Sequence, residues 1–110
     1  MKADAMTSDE CVRRVRLYMA EALPSMKRHG MRFQVWHLET VDGDRVNVGI
    51  NVWSSHGDMH GMHGTWRAGE ADGIVAELRR IVLAVQDQVE RWAGAYSELP
   101  LFGMMKGDAR

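Results

Sequence analysis

Two runs of alternating apolar residues on either side of a short turn constrain the fold of this chain more than any other feature. In segment 46–52, Val or Ile stands at every second position, which is typical of a strand with one buried face. Segment 31–41 predicts a strand before it, and Asp42-Gly43-Asp44 between them favours the positive φ angles of a tight hairpin turn. The sequence therefore predicts an antiparallel β-hairpin.

Strict alternation also predicts which side chains share a face of this hairpin. It places Phe33 and Val35 on one face of the first strand, with Trp36 and Leu38 near the other. In the second strand the Val and Ile residues face a core, and the residues between them face away. We expect this outward face to carry amides and tryptophans: Gln34, Trp36, Asn47, Asn51, Trp53 and Trp66.

A first amphipathic helix precedes the hairpin. Thr7 and Glu10 have the spacing of a capping box, so the helix begins there, and its apolar residues recur every three or four positions. Pro24 predicts a kink or a break, because proline lacks an amide proton and disfavours helical geometry in the residue before it. We expect the helix to end by Gly30.

The rest of the chain adds a short third strand at about 59–67 and a second helix. Apolar positions from Ile74 to Trp92 repeat at steps of four and three, which predicts a helix that ends at about Ala95. The predicted fold class is therefore α+β, in two layers with the order α-β-β-(β)-α and both helices on one face of an antiparallel sheet. We assign residues 1–96 to a single domain and 97–110 to a C-terminal tail.

Length and composition fit this organisation. With 110 residues, 45% of them hydrophobic, and a net charge of −1, the chain has the size of one globular domain. It has no run of about 18 apolar residues to span a bilayer, and segment 1–7 lacks the apolar stretch of a secretory signal, so we expect a cytoplasmic location. Cys11 is the only cysteine, which excludes an intrachain disulfide, and we expect it to be buried.

Two surfaces are candidates for binding. Arg13, Arg14 and Arg16 on the first helix form a basic strip that can meet phosphates or an acidic protein, or is a solvated helix face. The outward sheet face, with tryptophans among amides, suits a protein partner, the stacking of nucleic-acid bases, or a sheet-to-sheet homodimer.

The segment before and within the third strand is rich in histidine. His56, His60 and His63 could bind copper or nickel, since imidazole is a good ligand for both, but the glycines among them would leave the segment unorganised, and a hairpin loop with incidental histidines also explains it. We favour the second interpretation and expect no cofactor.

No catalytic signature accompanies these residues. The sequence has no glycine-rich phosphate loop, helical zinc motif or nucleophile elbow. Glu39, Asp42, Asp44 and Asp58 could form a metal-dependent nuclease site, although Asp42 and Asp44 are explained by the turn. We expect a protein that is not an enzyme.

The tail carries a short apolar peptide, Glu98-Leu99-Pro100-Leu101-Phe102. It resembles the pentapeptide by which bacterial polymerases and repair proteins dock into the sliding clamp, whose usual form is Gln-Leu-x-Leu-Phe. The resemblance implies that Leu101 and Phe102 fill the main apolar pocket, that Leu99 adds a flanking contact, and that Glu98 replaces the usual glutamine. Alternatively, Leu99, Leu101 and Phe102 fold back onto the core of the domain.

These features lead to two functional hypotheses. The first is a non-enzymatic accessory protein of bacterial or phage DNA replication or repair, which docks to the sliding clamp through its tail and contacts DNA or a second protein through the basic helix or the tryptophan face. The alternative is a small phage-type interaction or inhibitor protein, an anti-defence factor or a chaperone-like dimer, which binds a protein partner through its sheet face.

Overall fold

The computed structural model describes residues 6–98, which form two helices and a three-stranded sheet. The elements, in chain order, are α1 (Ser8–Arg28), β1 (Met31–Asp42), β2 (Arg45–Ser54), β3 (Met59–Arg67), a single 3-10 turn (Ala68–Glu70) and α2 (Ala71–Glu98). The sheet is antiparallel with the order β1-β2-β3. Helix α1 packs mainly on β1, and α2 packs on β2 and β3, so both lie on one face. The predicted α+β fold is confirmed, and the third strand is present.

The core lies between the sheet and the helices. Val46, Val48, Ile50 and Val52 of β2 are fully or almost fully buried there. The helices contribute buried side chains at the predicted spacing: Cys11, Val15 and Met26 from α1, and Ile74, Leu78, Ile81, Val85 and Val89 from α2. Burial raises the pKa of the Cys11 thiol, because the thiolate would lose its hydration. The prediction of a buried Cys11 is confirmed.

The central turn holds the hairpin together through Asp42. Its carboxylate accepts a hydrogen bond from the Asp44 backbone N–H (3.2 Å) and two from the Arg45 guanidinium (3.0 and 2.7 Å). These bonds lower the pKa of Asp42 from 3.8 to about 2, since they favour its charged form. Gly43 does not adopt the positive φ that the sequence predicted; among the described glycines that conformation belongs to Gly30, Gly57 and Gly64.

A β-bulge at Trp36 overturns the predicted alternation in β1. The register with β2 shifts by one residue between Val35 and His37, so Trp36 has no partner residue. Phe33 and Leu38, which strict alternation puts on opposite faces, both lie on the core side as a result. Phe33 is half-buried against the core, and Leu38 is 6% exposed.

Helix α1 ends before Gly30 as predicted, but the predicted break at Pro24 is absent, and α2 runs further than predicted. In α1 the Thr7 and Glu10 capping box is present, and the helix continues without a break through Pro24 to Arg28. Proline removes only one helical hydrogen bond, and the burial of Met26, two residues later, holds that end against the core. Helix α2 reaches Glu98 rather than Ala95, and its 28 residues span about 42 Å.

Neither of these helices is long and apolar enough to cross a membrane, within the residues that the structure describes.

Candidate functional site: the open face of the sheet

The face of the sheet that no helix covers is the candidate site, and we call it the open face. The pairing of the strands defines its membership. Its residues are Arg32, Gln34, His37 and Glu39 from β1, Asn47, Gly49, Asn51 and Trp53 from β2, and Met59, Gly61, His63 and Thr65 from β3.

A chain of hydrogen bonds crosses the open face from β1 to β3. The Trp53 indole N–H donates to Gln34 Oε1 (2.9 Å), and Asn51 Nδ2 donates to the same oxygen (3.4 Å). The Asn51 Oδ1 atom lies 3.0 Å from His63 Nε2. Asn51 is only 8% exposed, and these bonds satisfy both ends of its amide.

One donor-only group fixes the direction of the whole chain. An indole nitrogen can only donate, so Gln34 presents its oxygen to Trp53 and Asn51. Asn51 must then turn its NH2 group towards Gln34 and its oxygen towards His63, which therefore donates from Nε2. Two groups at the ends of this chain make no hydrogen bond within the described residues. They are the Gln34 NH2 group, which is a donor, and the His63 Nδ1 atom, which is an acceptor.

Two glycines make room for this arrangement. A Cβ atom on Gly61 would overlap Asn51 Oδ1, and one on Gly49 would lie 3.2 Å from His37 Cδ2 and 3.3 Å from His63 Nδ1. The imidazoles of His37 and His63 therefore lie above Gly49, and the Asn51 amide lies above Gly61. These three polar side chains cover the backbone at the two glycines, and we call this centre of the open face the platform.

Charged groups border the platform on its β1 side. The Arg32 guanidinium lies over the Trp53 ring, 5.9 Å from its centroid, a cation–π contact that holds the indole in place. His37 Nδ1 lies 3.7 Å from Glu39 Oε2. The open face thus carries both signs of charge rather than a field of one sign.

The structure separates the three tryptophans that the sequence grouped. Trp53 lies on the open face as predicted. Trp66 pairs with Val46 and packs against the core on the helical side, where its indole N–H makes no hydrogen bond within the described residues. Trp36 stands in the bulge of the edge strand and is 59% exposed.

The basic strip also lies apart from the open face. Arg13, Arg14 and Arg16 are exposed on α1, which covers the other side of the sheet. Arg14 forms an ion pair with Asp72 at the start of α2. The arginine strip and the tryptophan face therefore cannot act as one continuous surface.

The three histidines of the predicted metal site do not converge. His63 lies on the open face, whereas His60 pairs with Val52 on the opposite face of β3. His56 lies in the turn before β3, and its ring stacks on Trp92 at 5.7 Å. Among the residues that the structure describes, no group of three His, Cys, Asp or Glu side chains could hold a metal ion.

The carboxylates of the nuclease alternative have separate structural roles. Asp42 holds the hairpin turn with the backbone of Asp44, and Glu39 lies beside His37. Asp58 accepts a hydrogen bond from Ser54 Oγ (3.1 Å), which orders the turn between β2 and β3. They do not form one acidic cluster.

The clamp-type peptide lies at the end of the described chain. Glu98 is the last residue of α2, and Leu99, Leu101 and Phe102 lie outside the described residues. Its docking function stays a prediction. No protein-family model, curated protein or solved structure matched this chain.

Sequence reasoning found part of the open face and missed its centre. It placed Gln34, Asn51 and Trp53 on this face. It predicted neither the contact of His63 with Asn51 nor the role of Gly49 and Gly61. A usable signal was present, because a glycine within a strand, such as Gly49 in β2 or Gly61 in β3, often marks a close approach of another group.

Proposed function

We propose that this protein is a non-enzymatic binding protein of the cytoplasm, and that the open face binds a protein partner. The observation that supports this most is the ordered hydrogen-bond chain through Trp53, Gln34, Asn51 and His63. These side chains are already ordered in the free protein. Because they lose little further conformational entropy when a partner binds, the affinity for that partner is higher. The Gln34 NH2 group and His63 Nδ1 provide the donor and the acceptor that recognise the backbone or amide groups of the partner.

A protein fits the open face better than a nucleic acid does. Binding to a nucleic acid depends on a concentration of cations along the phosphate backbone. The arginines of α1 lie on the other side of the molecule, and on the open face Arg32 is accompanied by Glu39. Aromatic residues and arginine, which the open face carries at Trp53 and Arg32, are enriched at protein interfaces.

Two substitutions on the open face test the proposal. The tagged full-length protein, expressed in its own host, is used to capture partners, and the bound proteins are quantified by mass spectrometry. We expect Trp53→Ala and Gln34→Ala to lose a partner that the wild-type protein retains. Leu83→Ala, which changes an exposed residue of α2, is the matched control and should retain it.

The opposite results are equally informative. If every captured protein is retained by both open-face variants, the open face is not the binding surface. Binding of a random 20-residue single-stranded oligonucleotide, measured by fluorescence anisotropy and abolished by Trp53→Ala, would instead assign the face to nucleic acid.

The sliding clamp is a second candidate partner, supported by the peptide Glu98-Leu99-Pro100-Leu101-Phe102, which begins at the last residue of α2. In this function the protein is an accessory factor of DNA replication or repair, and the tail is its docking element. A chain that ends at Glu98 keeps all of α2 and serves as the control. Clamp binding by the full chain and not by this shorter chain would support the function, whereas equal binding or no binding of the two at high micromolar concentration would exclude it.

A further inference from the structure

Strand β1 forms an outer edge of the sheet, and no strand pairs with its far side within the described residues. It is 12 residues long and contains neither proline nor lysine, which protect many such edges, so the bulge at Trp36 is the irregularity that a pairing strand has to accommodate. Three large hydrophobic side chains on it are strongly exposed: Val35 (46%), Trp36 (59%) and Val41 (51%). Exposed apolar groups and free backbone donors and acceptors together make this edge a surface for another strand.

The bulge at Trp36 determines where a two-fold axis can lie when β1 pairs with a second copy of itself. Consider two copies of β1 that run antiparallel about a two-fold axis passing between Val35 and Trp36. In a regular strand, residues at equal distances on either side of such an axis would point to opposite faces, because side chains alternate with a period of two. The extra residue in the bulge shifts the second half of the strand by one position and cancels this mismatch.

Each pair outside the bulge therefore joins residues of the same face. Phe33 of one copy lies opposite Leu38 of the other on the core side, so an apolar residue faces an apolar residue. On the open face, Gln34 lies opposite His37 by the same symmetry. Outside the bulge, the positions 31–34 of one copy find partners at 37–40 of the other, and their backbone groups alternate in step with the side chains. Val35 and Trp36 lie at the axis, where the bulge interrupts this alternation.

The charged residues of β1 favour the same register. The axis places Arg32 of each copy opposite Glu39 of the other, which forms two identical pairs of opposite charge across the interface. Directly opposed charges of opposite sign stabilise an antiparallel pair of strands, and like charges destabilise it. Within one chain these two residues are seven positions apart, which separates them by about 23 Å along the strand.

We propose that the protein forms a homodimer through antiparallel pairing of β1 with β1 of a second copy, centred on Val35 and Trp36. The two sheets join into one sheet of six strands, and the two open faces become one continuous surface. The opposite edge is less suited to this pairing, since β3 contains Gly64 at a φ of 156° and glycine within a strand weakens its pairing. This inference rests on the register of β1 and is independent of the proposed function.

Charge reversal with compensation tests the register. Sedimentation equilibrium and light scattering of the purified full chain, over a range of concentrations, give the dissociation constant of the dimer. We expect Arg32→Glu and Glu39→Arg each to raise it by about tenfold or more, because each replaces two attractions with two repulsions. The double variant R32E/E39R should restore it, since the pairs are re-formed with their signs exchanged.

The control is Arg16→Glu, which makes the same charge change on an exposed position of α1 and should leave the dissociation constant unchanged. Circular dichroism confirms that each variant is folded, and recovery in the double variant separates a lost contact from a damaged fold. A protein that is monomeric at all concentrations overturns the proposal. So does a dimer that both single variants leave intact, and a dimer abolished by Trp53→Ala alone would place the contact on the open face instead.

Discussion

The Oδ1 atom of Asn51 occupies the space in which a Cβ atom on Gly61 would lie. The absence of a side chain at position 61 is thus what allows a buried amide to lie flat across β3 and meet His63. The hydrogen bonds of Asn51 on β2 thus depend on a glycine at position 61 of β3.

Replacing Gly61 with alanine should therefore destabilise the protein and disorder the open face. The Asn51 side chain would have to move and lose its bond to His63, at a cost of about 1–3 kcal/mol. Urea denaturation measures the change, and the chemical shifts of the Asn51 side-chain amide report its movement. Gly73→Ala is the control, because nothing lies within 4 Å of its Cβ position, and in helix α2 it should stabilise the fold by about 0.5–1 kcal/mol. Unchanged Asn51 resonances in the Gly61 variant would contradict this explanation.

The same substitution at two positions of α2 should have very different effects. Leu78 is fully buried, whereas Leu83 is 56% exposed. We expect Leu78→Ala to lower the free energy of unfolding by about 3 kcal/mol, through the lost burial and the cavity that remains. Leu83→Ala should change it by less than about 1 kcal/mol. Comparable losses in thermal or urea denaturation would mean that Leu83 is buried in the protein in solution, for example by a partner.

Removal of the N-terminal cap should weaken α1. The Thr7 hydroxyl accepts a hydrogen bond from the Glu10 backbone N–H (3.2 Å), and the Glu10 carboxylate accepts one from the Thr7 backbone N–H (2.8 Å). Thr7→Ala should cost about 1 kcal/mol of stability, and Thr7→Ser, which keeps the hydroxyl, should cost much less. Amide hydrogen exchange in the first turn of α1 should accelerate in the alanine variant alone.

The hairpin turn should make stability dependent on pH in the acid range. The folded protein holds the pKa of Asp42 at about 2, below its usual 3.8, so folding favours the ionised carboxylate. Its contribution is present above about pH 4 and is lost as the pH falls towards 2. Asp42→Asn should flatten this part of the stability curve, and Arg45→Gln should return the pKa towards its usual value because it removes the principal donor. An NMR titration of the Asp42 carboxyl carbon checks both, and a usual pKa in the wild-type protein would contradict the ion pair.

The sequence alone determined the features that depend on neighbouring residues. The period of two in β2, the turn at Asp42, the capping box at Thr7 and the apolar stripe of α2 each specify local geometry within a few positions. Together they were sufficient to predict a hairpin between two helices and a core on one face of the sheet. The start of α1 and the core side of β2 are confirmed residue by residue.

Only the tertiary structure decided which side chains meet. A bulge adds one residue to a strand without altering its composition, so the alternation in β1 could not reveal that Phe33 and Leu38 share a face. The face of Trp66, the separation of His60 from His63, and the space that Gly61 leaves for Asn51 all follow from the register between strands. That register is set by packing between residues distant in the sequence, and a shift of one position moves every side chain to the other face.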